Sequence, residues 1–446
     1  MNTHTPEFWH DGNFAILRVG EKKHAFAGHW VEGSPWERFG RYDSYVVLRS
    51  DGGVIQIHAH AGELVPGSTE DLVSFISTNR NMVRTPASPL TLELDPTYAC
   101  VSIDCGSRCF SAPYRRAAPM ACIPPSVCGE IIRAFSDAGG RIVRFDGGGD
   151  PLCHPDVRNG RLPVLAQKMG LKSTILTSGD LLSCADLQAF VDAQCYVRVS
   201  LNAATQTTRE AFHGNTVQLS DVCHALEELA LRISKSRTGI PLACTFLLDT
   251  LNMEELLPSA VMAKSLGINH FSVRRVLGPD SFRPVFSSSQ LARLPDLFSD
   301  VGRLESESFQ VFLPWRKPNE SDLNPSCGDF FASHCWQSTL KTVVEPDPGT
   351  GGIQGQLCGR YRGCGIGQKQ KLPPLFQCKD GRDWVALWRR TFEDNRMDRQ
   401  RLPKYCVSCI DRGFIKMLDD LMAFLSSDNT LDFNIFHLKS RDRKLW

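Results

Sequence analysis

Three thiols fall within ten residues at Cys100, Cys105 and Cys109, in the stretch LDPTYACVSIDCGSRCF that directly follows a predicted strand. Thiolates gathered this closely on a loop point to a shared inorganic centre. A tetrahedral zinc site takes four Cys or His ligands, usually as two close pairs, whereas this loop supplies three thiols and no His. A three-thiolate loop suits an iron–sulfur cluster that leaves one iron open to a further ligand. A second motif, DGGGDPLCHP over Asp146 to Pro155, closes the next predicted strand. Its glycines Gly147, Gly148 and Gly149 let backbone come close to a ligand without side-chain clash, and Asp150 follows them.

The elements that must position these motifs form a regular series. Strands are predicted at 90–94, 141–145, 173–177, 196–201, 242–248 and 271–276, each an apolar or β-branched run. Helical patterns lie between them at 126–138, 187–193, 220–233 and 253–265, with Ser126, Ser183 and Ser220 as N-cap candidates and Gly139, Gly170 and Gly267 after helix ends. Strands separated by helices imply right-handed crossovers and a parallel sheet. Periodicity leaves open a partial barrel or a doubly wound sheet. In either, ligands gather at the carboxyl ends of the strands, which is where both motifs sit.

On these residues the chain resembles the radical S-adenosylmethionine (radical SAM) enzymes. In that family a Thr-x-x-Cys-x3-Cys-x2-Cys-aromatic loop follows the first strand and GGEP follows the second. Here Thr97 and Phe110 keep both ends of the loop in register, while the spacing Cys-x4-Cys-x3-Cys is one residue longer in each gap. Cys122 is the alternative to any one of these three, but it stands just before Pro124 and Pro125, which read as a helix start. The resemblance implies the family's partial (βα)6 TIM-like barrel, a [4Fe–4S] cluster on Cys100, Cys105 and Cys109, and S-adenosylmethionine (SAM) on the glycine loop. Asp150 stands where the family has Glu.

Further positions carry the same resemblance. Thr177–Ser178–Gly179 is similar to the family's TNG, and Ser200–Leu201–Asn202 to its SLD or SLN, whose serine lies near the SAM carboxylate or ribose. Arg209 is either a solvated helix residue or a planar fork for that carboxylate. Asn252 and Arg274–Arg275 complete the ring of candidates. His154 reads as a second-layer polar residue or a proton donor. The scattered Cys128, Cys153, Cys184, Cys195, Cys223 and Cys244 read as buried small side chains.

Outside this α/β core, 89–278, the chain divides into a mainly β domain over 1–88, a polar connector over 279–326 and a Cys-rich extension over 327–446. The first has strand patterns at 14–19, 24–31, 42–49 and 54–58, a hairpin signal at SDGG, a helix capped by Ser68, and many aromatics that suit a small β core. The extension holds seven cysteines and resembles the SPASM auxiliary-cluster extension, with Cys335 to Cys358 as its opening hairpin. Cys335, Cys358, Cys406 and Cys409 are the ligands expected for one auxiliary iron–sulfur cluster, structural zinc being the rival. An amphipathic stretch, Phe414–Phe424, reads as a docking helix.

Composition limits the partners. With 50 basic and 49 acidic side chains in 446 residues, no global field draws the chain to nucleic acid or an anionic membrane. No apolar run approaches the ~18 residues of a membrane span, and MNTHTPEFWHDGN is no secretion signal, so a cytoplasmic protein is expected. Seventeen cysteines there argue for metal ligands and buried thiols rather than disulfides. The resemblance implies an enzyme that cleaves SAM to a 5′-deoxyadenosyl radical and abstracts a hydrogen atom from a peptide or small-molecule substrate. Peptide maturation or natural-product tailoring is the expected setting, and flavodoxin or ferredoxin the expected kind of electron donor. The alternative is a non-catalytic iron–sulfur or zinc protein that responds to redox state.

Overall fold

The computed structural model describes residues 87–102, 105, 109, 111–236, 238–275, 286–313, 341–356 and 374–393, together with six strands in the terminal regions. The chain divides into two compact units. One comprises Met1–Pro86, Asn319–Leu340 and Phe392–Trp446; the other comprises Ala87–Pro318 and Lys341–Thr391.

The first unit holds two three-stranded sheets. Glu7–Asp11, Phe14–Val19 and Lys22–Ala27 pair in succession, each antiparallel to the last. Asp43–Arg49 and Val54–Ala59 form the hairpin that the SDGG signal predicts, with Leu48 opposite Val54. Phe433–Phe436 pairs antiparallel with the other edge of Asp43–Arg49, a partnership between distant segments that local patterning does not reveal. The helices expected after Ser68 and over Phe414–Phe424 lie outside the described residues.

The second unit is built on one sheet. Its strands are β1 (Thr91–Leu94), β2 (Ile142–Phe145), β3 (Lys172–Thr177), β4 (Tyr196–Ser200), β5 (Ala243–Leu248), β6 (His270–Arg275), β7 (Gln310–Phe312), β8 (Lys341–Asp347), β9 (Gly352–Gln356) and β10 (Phe376–Cys378). The order across the sheet is β7-β6-β5-β4-β3-β2-β1-β8-β9-β10. Strands β1 to β6 match the six predicted ones to within a residue or two, and each pairs in parallel with the next. This is the partial-barrel order that the family resemblance implies. All four residues of β1 are buried, Leu92 and Leu94 completely and Thr91 and Glu93 nearly so.

The crossover helices bury one face each. They are α1 (Ala112–Ala117), α2 (Pro125–Asp137), α3 (Pro155–Arg158), α4 (Arg161–Lys168), α5 (Leu187–Asp192), α6 (Gln206–His213), α7 (Leu219–Ser236), α8 (Leu256–Ser265), α9 (Ser288–Gly302) and α10 (Trp384–Glu393). In α2, Ile131, Ile132 and Phe135 are fully buried, each contributing about 1.5–3 kcal/mol of apolar transfer. Gly139, Gly170 and Gly267 do follow helix ends, all with positive φ.

All three N-cap expectations need correction. Ser220 is the second residue of α7, which already starts at Leu219. Helix α2 begins one residue before Ser126 because Pro125 occupies its first turn, where the missing N–H costs nothing, and Pro124 stands at the cap. Helix α5 is capped by Asp186, whose carboxylate accepts from the Ala189 N–H at 3.0 Å, while Ser183 sits in a separate single turn. The stretch 279–326, read as a polar connector, contains α9 and β7. The serine run read as loop is a capping box, with Ser287 accepting from the Gln290 backbone and Gln290 reaching back to Ser287.

The hairpin expected between Cys335 and Cys358 is present as β8 and β9, paired antiparallel. It belongs to the core sheet, because β8 runs parallel to β1 with Lys341 opposite Thr91. Helix α10 was not anticipated; its Trp384 donates to the Ile131 carbonyl at 3.2 Å and stacks between Phe135 and Phe376. Among the described residues no helix is long and apolar enough to cross a membrane.

Candidate active site at the carboxyl ends of the strands

The cysteine loop leaves β1 in a fixed shape. Thr97 Oγ1 accepts from the Ala99 N–H at 3.0 Å and donates to the Ala121 carbonyl at 3.1 Å, so this first motif residue folds the loop back on itself. The Cys109 N–H donates to the Cys105 carbonyl at 3.0 Å, which holds these two cysteines next to each other. Arg115, from α1 and 8 % exposed, donates to Cys109 Sγ at 3.0 Å and to Cys105 Sγ at 3.5 Å. Cys109 is held down to about 5, chiefly by donation from the Cys105 thiol, with Arg115 adding to the effect against burial. Cys105 is pushed up as that donor, and Cys100 rises to about 11 through burial and the charge of Asp150.

Three soft sulfur donors beside a buried guanidinium fit a metal centre whose thiolate ligands make it anionic overall. Among the described residues no group of three or more His, Cys, Asp or Glu side chains is arranged around one ion. A cluster gives each thiolate a separate iron, so its ligands need not converge on a single point. Cys122 lies elsewhere: it bridges Thr97 in a short antiparallel pairing, exposed, with its thiol toward the Ile123 carbonyl at 3.5 Å.

The glycine loop after β2 packs directly on the cysteine loop. The Gly149 N–H donates to the Thr97 carbonyl at 3.0 Å and the Asp150 N–H to the Ala99 carbonyl at 2.9 Å. A Cβ on Gly149 would sit 1.9 Å from the Ala99 carbonyl oxygen, and one on Gly147 would sit 2.0 Å from that of Gly149. Close backbone approach therefore explains both glycines, and Gly148 between them is buried.

Asp150 departs from the reading of a carboxylate aimed at a ligand. It is 4 % exposed, and its oxygens accept from Thr177 Oγ1 at 2.8 and 2.9 Å, Ser178 Oγ at 2.7 Å, the Ser178 N–H at 2.8 Å and the Leu152 N–H at 2.9 Å. Burial raises its pKa, opposed by these hydrogen bonds. It ties the loop after β2 to the Thr177–Ser178–Gly179 loop after β3.

A second carboxylate, Asp180, continues the network. Its Oδ2 accepts from Ser102 Oγ in the cysteine loop at 3.2 Å and from Asn215 Nδ2 at 2.9 Å, and lies 2.9 Å from Ser178 Oγ, whose one proton serves either this carboxylate or Asp150. Its Oδ1 forms a fully buried ion pair with Arg209 Nη2. Arg209 is thus a buried residue of α6 and not a solvated one, and its Nε and Nη1 have no hydrogen-bond partner among the described residues. The loops after β1, β2, β3 and β4 meet in this one network.

Asn202 and Asn252 have framework contacts. Asn202 Oδ1 accepts from the Leu247 N–H at 2.8 Å, while Asn252 Nδ2 donates to the Asn202 and Leu247 carbonyls at 2.9 and 3.0 Å. Both asparagines knit the end of β4 to the end of β5. Ser200 ends β4, half-buried, opposite Thr245. His213 faces Asn202 and is lowered to about 4 by burial and the Arg209 charge, with Asp180 opposing. His154 is fully buried against the Ile123 carbonyl at 3.0 Å, a second-layer placement. Of the scattered thiols, Cys128, Cys195 and Cys244 are buried, Cys153 and Cys223 half-buried, and Cys184 exposed on its turn.

Phe110 and the four expected auxiliary ligands Cys335, Cys358, Cys406 and Cys409 lie outside the described residues. Sequence reasoning missed Arg115, Asp180, Asn215 and Ser102. It also missed Glu255, which accepts from the Ala204 and Thr205 N–H groups at 2.6 and 3.1 Å and so fixes the start of α6. Ser102, inside the cysteine motif, and Asp180, directly after Thr177–Ser178–Gly179, stood near enough to a motif to be noticed.

No protein-family model matches the chain, and no curated protein matches it. Among solved structures, its fold is that of Streptococcus suis SuiB. The structure of SuiB bound to the precursor peptide SuiA is 16 % identical, covers 78 % of this chain and 74 % of its own, and gives a TM-score of 0.52. SuiB bound to S-adenosylmethionine is 15 % identical over 78 % of this chain and 74 % of its own, at a TM-score of 0.50.

Proposed function

We propose that the chain is a radical SAM enzyme that modifies a peptide. The observation that carries the reading is the meeting of the segments after β1 to β4 in one buried network, with three thiols on the first loop and, within it, two guanidinium nitrogens of Arg209 that have no partner among the described residues. The shared fold with SuiB, which binds SAM and a precursor peptide, supports it.

In this reading Cys100, Cys105 and Cys109 hold a [4Fe–4S] cluster, and Arg115 offsets the charge of the thiolates. When bound, the cluster supplies the electron that cleaves SAM to a 5′-deoxyadenosyl radical for hydrogen abstraction. Gly147, Gly148 and Gly149 give SAM a backbone surface, with Asp150 and Thr177 fixing its shape. Arg209 pairs with the SAM carboxylate near Ser200 and Asn202, and Phe110 closes the cysteine loop. Cys335, Cys358, Cys406 and Cys409 hold an auxiliary iron–sulfur cluster. Seventeen cysteines suit the reducing cytoplasm, where flavodoxin or ferredoxin is the kind of donor required.

Anaerobically reconstituted, reduced protein is expected to release 5′-deoxyadenosine from SAM, and the triple Cys100, Cys105 and Cys109→Ala variant to hold about four fewer irons per chain. No 5′-deoxyadenosine from the intact protein, or unchanged iron in the variant, would overturn the reading. Changing Cys406 and Cys409 to Ala is expected to lower iron while sparing SAM cleavage; zinc at that site would remove the auxiliary cluster.

A further inference from the structure

The cysteine loop has a cation against its sulfurs that the motif itself does not contain. Arg115 lies in α1, six residues beyond Cys109, with its side chain buried. Its two terminal nitrogens, which share one edge of the guanidinium, reach two different thiols: Nη1 donates to Cys109 Sγ at 3.0 Å and Nη2 to Cys105 Sγ at 3.5 Å. A planar fork can span two acceptors in this way, where a lysine offers a single charged point. Arg116, the next residue of the same helix, is exposed. Two adjacent arginines therefore meet opposite surroundings. The charge of Arg116 is screened by water, whereas that of Arg115 acts on its neighbours through a medium of lower dielectric.

The opposing charge at the loop is that of Asp150, which acts on Cys100. Its oxygens are already taken up by Thr177, Ser178 and the Leu152 N–H. Among the described residues Arg115 is the cation bonded to these sulfurs. When thiolates hold a cluster, one electron from a flavodoxin- or ferredoxin-type donor adds one negative charge to it, with no bond made or broken. Net charge and hydrogen bonds at the sulfurs set how readily that electron is taken up. A buried cation there favours the more negative, reduced state.

We propose that Arg115 sets the reduction potential of the cluster, holding it up with a buried positive charge that spans the sulfurs of Cys105 and Cys109. The inference rests on the proposed reading of the chain as a radical SAM enzyme. Arg115 acts through the thiolates and is assigned no contact with SAM or substrate.

The test is an anaerobic redox titration of the reconstituted full-length protein without SAM, followed by the electron paramagnetic resonance of the reduced cluster. In Arg115→Gln the ratio of reduced to oxidised cluster at a given potential is expected to fall about tenfold, a shift of about 59 mV downward for a one-electron couple. Arg115→Lys, which keeps the charge, is expected to stay within about threefold of wild type, and Arg116→Gln to match wild type. A merely structural role would cost iron and leave the potential of the remaining clusters unmoved, which would overturn the proposal. A fall in Arg115→Lys as large as in Arg115→Gln, or an equal fall in Arg116→Gln, would overturn it too. Should Arg115→Gln retain no cluster, wild-type protein labelled with the heavy nitrogen isotope in its arginines is examined by pulsed resonance. A nitrogen coupling to the reduced cluster that disappears in Arg115→Lys is expected, and its absence from the wild type overturns the proposal. If the wild-type protein assembles no [4Fe–4S] cluster, the reading as a radical SAM enzyme fails instead, so the two failures are distinct.

Discussion

At the scale of single residues, the site is governed by what burial does to charge. Arg115 places a cation against Cys109 and Cys105 in a pocket that water barely reaches. Supporting residues of this kind are commonly worth ten- to a hundredfold in metal affinity. Replacing Arg115 with Gln is therefore expected to speed iron loss to a chelator by about tenfold, with Lys intermediate because it keeps the charge but loses the fork. Equal rates in all three proteins would remove Arg115 from the centre. His213 shows the opposite case, a ring kept neutral by burial and by Arg209, with its pKa lowered to about 4. The unfolded chain takes up a proton near 6.5 and the folded one resists it until about 4, so stability is full above that window and falls as pH drops through it. The loss is expected to reach at most about 3 kcal/mol, and a His213→Gln variant should show a flatter denaturation profile between those pH values. An equally steep profile in the variant would place the pH dependence elsewhere.

At the scale of elements, the glycine loop and the cysteine loop behave as one piece. Gly149→Ala would drive a methyl group into the Ala99 carbonyl, and relief requires both loops to move. Overpacking of this kind costs about 1–3 kcal/mol, and here the strain falls where the thiols are set. The variant is expected to lose iron and SAM affinity together, measured by iron content and equilibrium dialysis. Loss of SAM binding with full iron would mean that the loops are independent. Much of this was legible beforehand. The strands β1 to β6, the glycine turns and the order of motifs follow from apolar runs and chain punctuation, which are local properties. Asp180, Asn215 and Glu255 were not legible, because an isolated polar residue carries no period and its meaning lies in a partner such as Arg209, twenty-nine positions from Asp180. The same limit hid α9, since its serine-rich cap reads as loop until Gln290 is seen to answer Ser287.

At the scale of the whole molecule, the segment carrying β8, β9, β10 and α10 completes the core sheet. Trp384 is fully buried between Phe135 and Phe376, and Trp384→Ala is expected to cost about 3–5 kcal/mol, read from chemical denaturation and from faster proteolysis within 374–393. A loss below about 1 kcal/mol would mean that α10 is only loosely applied to the sheet. The strand that launches the cysteine loop lies between β2 and β8, and its partners arrive at very different times. Thr91 meets Ile142 soon after both are made, but Lys341, opposite it on the other side, is 250 positions downstream. At about 5–20 residues per second, a growing chain exposes that edge of β1 for roughly 12–50 s. Its three thiols are thus translated long before the wall beside them exists. Stalled nascent chains ending before residue 341 are expected to hold no iron, which would make cluster insertion wait for the strand that walls the loop.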